Sequence, residues 1–302
     1  MTYFLSADTG NDSTGNGSQA NPWLTIGKAH TEATSGDTII LLDSTNEYTW
    51  ANQTFTKDLT LRGQQPDASG AILDGNFSGI QWTIQSHLII DSLTFINRVA
   101  GGSWSSRMFY FNTSNVGLES YNCMYRDIEV GGRPNFLGQG FVTTNATSDE
   151  AITVRFQSNT FEDTVKSNNA SLGAGATLFN FRGNVDCDLR LINNTFHFGD
   201  FTGEERVEIL MNVVNSAGTN VEIYNNIFYS DSNQNIALVL SNNQTFNETF
   251  DNNFYYENGT GDLTNIPSGN DNVNIDPLFV DKSTNNYDLR PQSTLFGQGR
   301  ML

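Results

Sequence analysis

Arg126, Asp127, Glu129, Glu162, Asp163 and His197 are titratable residues whose spacing could do chemistry. Arg126, Glu162 and His197 each follow an aromatic residue that closes a recurring phrase. Asp127 and Asp163 stand one place further on. If the phrases stack as neighbouring strands, about 4.8 Å apart, all six groups share one flank. Two carboxylates about 5–5.5 Å apart suit glycoside cleavage with retention, and about 6.5–9.5 Å apart with inversion. Like charges that close raise one pKa, which sets an acid beside a base. Glu162, Asp127 and Asp163 are therefore the candidate catalytic carboxylates. The competing reading is a solvated turn cluster, or carboxylates around one weak Ca2+ site. No other cofactor is indicated.

The phrase itself is VRFQSNTF at 154–161, LRLINNTF at 189–196 and VEIYNNIF at 221–228. With the closing aromatic as origin, the series runs Phe95, Tyr125, Phe161, Phe196, Phe228, Phe254, in steps of 26–36 residues. An irregular period of that size means stacked coils with loops of variable length. Two places before the aromatic stand Leu93, Cys123, Asn159, Asn194, Asn226 and Asn252. A buried amide needs a partner, so the four asparagines predict a side-chain ladder running from coil to coil. A second strand lies upstream in each coil, as GIQWTI, RMFYFN, GQGFVT, ATLFNF, VEILMN and NIALVL. Alternation turns Val154 and Phe156, Leu189 and Leu191, and Val221 and Ile223 inward. The outward column between them reads Ile89, Glu119, Arg155, Arg190, Glu222, Glu248, a solvated charge ladder that reports register. Tyr121, Tyr224 and Phe250 form an intermittent outward aromatic column suited to a subunit interface.

These patterns predict an all-β chain, a parallel β-helix of about eight or nine coils in three sheets. It reads as a single domain over residues 1–302. Residues 1–35 form an N-terminal cap with a helix near 24–33, in which Thr25 is the N-cap and Ile26, Ala29 and Ala33 share a face. Residues 36–270 form the coils, and 271–302 a closing coil.

Composition narrows the partners. The net charge of −18 repels polyanions and argues against nucleic acid. The two cysteines, Cys123 and Cys187, read as buried free thiols. No apolar run is long enough to span a membrane, and MTYFLSADTG lacks the basic and apolar regions of a signal peptide. His30 in the cap helix and His87 at a turn carry no triad or metal cluster.

The opening YFLSADTGNDSTGNGSQANPWLTIGKAHTEATSGDTIILLDSTNEY contains Tyr3, Ser6, Pro22 to Ile26 and Gly36 to Ile39. It resembles the start of pectin-lyase-like right-handed parallel β-helix proteins, with their Tyr-x-x-Ser, Pro-aromatic-x-Thr-Ile and Gly-Asp-Thr-Ile elements. The closing DPLFVD and NNYDLRPQST resemble that group's final coil. The resemblance covers nearly the whole chain and implies the fold; it leaves activity open, because the group includes polysaccharide lyases, glycoside hydrolases, adhesins and phage tail or surface proteins. A lyase of this group would use a Lys or Arg base and a charge stabiliser. Lys166 and Arg182 are the candidates, Arg182 because it looks like the strand-end Arg of some of those lyases. Their Glu-x-Glu and Lys order is not met, since DEAITVRF supplies Asp149, Glu150 and Arg155 but no Lys. The Gly-rich loops 97–106 and 129–138 bring Trp104, Arg133 and Phe136, which with His197 could line a sugar-binding groove.

The expectation is a non-catalytic, surface-exposed β-helix of a virion (a phage tail or capsid decoration) or a cell surface, structural or adhesive and glycan-binding. The alternative is a polysaccharide-degrading lyase or glycoside hydrolase. Expected partners are a polysaccharide or surface glycan, and other particle proteins or further copies of the chain, such as a trimer. The expected location is extracellular or on a virion.

Overall fold

The computed structural model describes residues 1–49, 51–75, 81–96, 108–126, 128, 140–144, 151–162, 176–181, 186–199, 207–213, 220–231, 236–241, 247–259, 263–264, 273–284 and 286–295. Among these, three parallel sheets of nine, nine and eight strands run side by side along one axis. The chain visits the first, second and third sheet in turn and then returns to the first, one coil further on. It is a parallel β-helix, the pectin-lyase-like architecture that its opening residues resemble. The first sheet holds Val116–Tyr121, Ile152–Gln157, Cys187–Ile192 and Asn220–Tyr224 on successive coils. The second holds Met124–Arg126, Thr160–Glu162, Thr195–Phe198 and Ile227–Ser230.

Alternation builds the core. Val154, Phe156, Leu189, Leu191, Val221 and Ile223 are all buried, while Arg155, Arg190 and Glu222 face outward in register. The closing aromatics stack with nearly parallel rings, from Phe95 to Tyr125 (centroids 5.2 Å), Phe161 (5.0 Å), Phe196 (4.6 Å) and Phe228 (5.0 Å). Cys123 and Cys187 are buried and free. Burial pushes the Cys123 thiol up to about 12 and the Cys187 thiol up as well, so both are unreactive neutral thiols.

The turn from first to second sheet explains the repeated phrase. Ser92, Asn122, Ser158, Asn193, Asn225 and Asn252 all have φ between 51° and 59°. Asn tolerates this left-handed region better than most residues. The next residue turns inward, and there the ladder forms. The Asn159 N–H and Nδ2 both donate to Asn194 Oδ1 (2.9 and 3.1 Å). Asn194 donates in the same way to Asn226 Oδ1 (2.9 and 3.0 Å).

In the last of these coils the ladder residue is Asn253, which accepts from Asn226 at 3.0 Å; Asn252 instead occupies the left-handed turn position. The doublet Asn252–Asn253 allows two registers, and the sequence-based reading took the wrong one. Tyr255, not Phe254, therefore stacks on Phe228 (5.2 Å), and Tyr256 lies beside Tyr229. The same one-residue slip sets Thr249, rather than Glu248, beside Glu222. It also turns Phe250 inward against the core, so Phe250 does not belong to an outward aromatic column. Tyr121 and Tyr224 remain half-buried on the outer face.

Helix α1, Ile26–Glu32, covers the first coil. Thr25 Oγ1 accepts from the Lys28 N–H (3.1 Å), and Ile26, Ala29 and Ala33 are buried. At its other end Lys57 Nζ donates to the carbonyls of His30, Thr31 and Ala33, satisfying groups a helix C-terminus leaves open. At the far end of the chain, where a closing coil was expected, Phe279–Asp281 and Asn286–Leu289 pair as an antiparallel hairpin.

Candidate functional site

The second-sheet strand Thr195–Phe198 alternates, so Phe196 and Phe198 point inward and His197 outward. In register, His197 lies between Glu162 on one side and Tyr229 on the other, and Glu162 lies beside Arg126. The expected flank column of Arg126, Glu162 and His197 is thus assembled. Asp127, Asp163, Glu129, Lys166, Arg182, Trp104, Arg133 and Phe136 lie outside the described residues.

The C-terminal hairpin docks on this outer face. Phe279 and Tyr287 pack with Tyr229 in an aromatic cluster, joined by Ile227, Tyr256 and Leu289. Phe279 meets Tyr229 edge-on at 5.4 Å and Tyr287 at 5.2 Å. A charged network lies beside the cluster. His197 Nε2 is 2.9 Å from Asp231 Oδ2, and the Tyr287 hydroxyl is 3.0 Å from His197 Nδ1. With Asp231 ionised, Nε2 carries the proton of the neutral ring, and Nδ1 accepts from Tyr287. Lys282 Nζ donates to the same Asp231 oxygen (2.8 Å) and to the Tyr229 hydroxyl (2.5 Å). Asn258 Nδ2 donates to the second carboxylate oxygen (2.8 Å).

Burial alone would raise the Asp231 pKa. Hydrogen bonds from His197, Lys282 and Asn258, with the lysine's charge, outweigh it and hold the carboxyl well below the usual range. For Lys282, burial is outweighed by Asp231 and Tyr229, and its pKa is raised. Tyr229 is raised, first by burial. Tyr287, His197 and Asp231 stand in the order of a proton relay, a hydroxyl on a base that a carboxylate orients. Lys282 shares the carboxylate oxygen that such a relay would use, and Phe279 covers the phenol ring. The direct effect of the network is to fasten the hairpin to the helix.

The fastened hairpin walls a groove of about 620 Å3. One side is the turn column, with Asn122, Ser158 and Asn193 on successive coils and Met124, Thr160 and Thr195 beside them in register. Thr284, Asn286, Tyr287 and Asp288 form the hairpin side, and Pro66 to Ser69 close in from an earlier coil. Arg126 also lines the groove. Hydrogen bonds from Ser69 lower the Asp67 pKa, which makes it an acceptor and a poor general acid. No cluster of three or more His, Cys, Asp or Glu residues able to hold a metal occurs among the described residues.

Sequence reasoning placed His197 on the outward column but did not single out Asp231, Lys282 and Tyr287, and His197 is not among the residues that line the groove. One signal was available, since His197, Tyr229 and Tyr256 make an outward aromatic column that needs a cover. Nothing local in DKSTNNYDL names that column as its partner.

The family model described as Disaggregatase related matches residues 141–300. No curated protein matches the chain. Among solved structures the chain is similar to a PL6 family alginate lyase, AlyGC, at 13% identity and a TM-score of 0.44. That match covers 91% of this chain and 39% of the lyase, so the chain spans about two-fifths of the lyase's length. A rhamnogalacturonan lyase matches at 12% identity and a TM-score of 0.35, covering 97% of this chain and 96% of that one. The family match takes in more than half of the sequence, including the second-sheet column from Glu162 onward, Asp231 and the whole hairpin: the chain belongs to the disaggregatase-related family.

Proposed function

We propose that the protein is a surface-exposed β-helix that binds a neutral segment of a polysaccharide in the groove between the turn column and the C-terminal hairpin. The carrying observation is the groove's lining, which presents amide and hydroxyl side chains from successive coils. Their repeat of about 4.8 Å is close to the rise of one pyranose in an extended glycan. Such groups exchange hydrogen bonds with sugar hydroxyls, and Tyr287 adds an aromatic edge. The net charge of −18 favours an uncharged polymer over a polyanion.

A panel of neutral and acidic oligosaccharides of increasing length, titrated by calorimetry, tests this. Affinity should rise with each added sugar up to the span of the groove and then level off. Asn122→Ala and Asn193→Ala should each weaken binding about two- to tenfold, the loss of one neutral hydrogen bond. Absence of binding across the neutral set would end this reading. New reducing ends or unsaturated uronates in the bound samples would replace binding by cleavage.

A further inference from the structure

The hairpin belongs to none of the three stacked sheets. Its two strands pair only with each other, in the opposite sense to every other described strand pairing. It follows Val273–Asn274, a strand of the second sheet, after a short link in which Leu278 takes a left-handed φ of 53°. Its own closure is internal: Arg290 N–H and Nη2 donate to the carbonyls of Leu278 and Val280 (both 2.9 Å). Among the described residues, its polar attachments to the helix are the Lys282 bonds to Asp231 and to the Tyr229 hydroxyl and the Tyr287 contact with His197, and two of these three lead to the Asp231 carboxylate. Lys282 reaches Asp231 directly, and Tyr287 reaches it through His197. The apolar attachment is the small Tyr229, Phe279 and Tyr287 cluster, separate from the main core.

We infer that the hairpin is a releasable wall of the groove, with Asp231 as its latch, and that it leaves the helix as a unit while the coils stay folded. Units with their own internal bonds and few contacts to the body open below the global unfolding free energy. A wall that swings aside admits the middle of a long polymer, which cannot be threaded from its end.

Among the described residues, His197, Lys282, Tyr229 and Asn258 face Asp231, and Asp231, Tyr229, Tyr287 and the register neighbour Glu162 face His197. Asp231 has a lowered pKa in the folded chain, so its contribution is complete above the ordinary Asp value of about 3.9 and is lost as pH falls below it.

Hydrogen exchange read by mass spectrometry tests the inference, without any glycan present. In Asp231→Asn and in Lys282→Met, amides of 279–281 and 286–289 should exchange about ten- to a hundredfold faster, the loss of a charge-assisted hydrogen bond. Amides of Cys187–Ile192 should keep their wild-type rates. Hairpin rates unchanged in both variants, or protection lost along the whole helix, would overturn the inference. Access to the groove is read in Thr195→Cys, whose thiol should react with a bulky maleimide at least about tenfold faster once Asp231→Asn is added. Equal labelling with and without Asp231→Asn would show that the hairpin does not wall the groove. Neither readout depends on polysaccharide binding, so failure of that reading leaves this one standing.

Discussion

Asn194 carries more than its size suggests. Its carbonyl accepts from two N–H groups of Asn159, and its amide donates to Phe156 and Asn226, all buried. Asn194→Ala leaves these partners unsatisfied and should cost about 2–4 kcal/mol in urea unfolding. Asn193→Ala, one place earlier in the exposed left-handed turn, should cost about 1 kcal/mol, since only the backbone preference is lost. Equal costs at the two positions would remove the distinction drawn between ladder and turn. The doublet is also where the sequence was hardest to read. In NNTF and NNIF the aromatic follows the second Asn by two places, and in DNNFY that rule selects Tyr255. The competing phrase Asn-x-Phe fits Phe254 equally well on paper, and only stacking against Phe228 decides.

Among the elements, local rules sufficed wherever the partner was local. Thr25, the face of Ile26 and Ala29, and the Lys28–Glu32 pair at 2.7 Å all follow from spacing along one helix. Thr25→Ala should lower stability by about 1 kcal/mol, with thermal unfolding as the readout. Coil strands were legible because each repeats its neighbour's pattern at a known offset. The hairpin has no such neighbour. Its contacts reach back 51 residues from Lys282 to Asp231 and 90 from Tyr287 to His197, and alternation alone does not say which surface it meets. The candidate site shared that fate: the sequence showed the outward column of Arg126, Glu162 and His197, of which Arg126 lines the groove, but not the hairpin that walls it.

Taken whole, the molecule is close to a one-dimensional stack in which each coil touches chiefly the coils before and after it. Excising one repeat at equivalent ladder positions should therefore be tolerated. Deletion of residues 159–193, which joins Ser158 to Asn194, should give a folded protein with parallel-sheet circular dichroism, a lower Tm and a groove one coil shorter. An insoluble or unfolded product would show that the stack is not modular. The ladder also gives the stack a direction. Asn159, Asn194 and Asn226 each donate two N–H groups to the side-chain carbonyl of the next coil's asparagine, while helix α1 seals the opposite end. A chain emerging amino terminus first would meet a template along this stretch: the coils of Asn159, Asn194 and Asn226 each present two donors, and the next coil to be synthesised brings the acceptor that fits them.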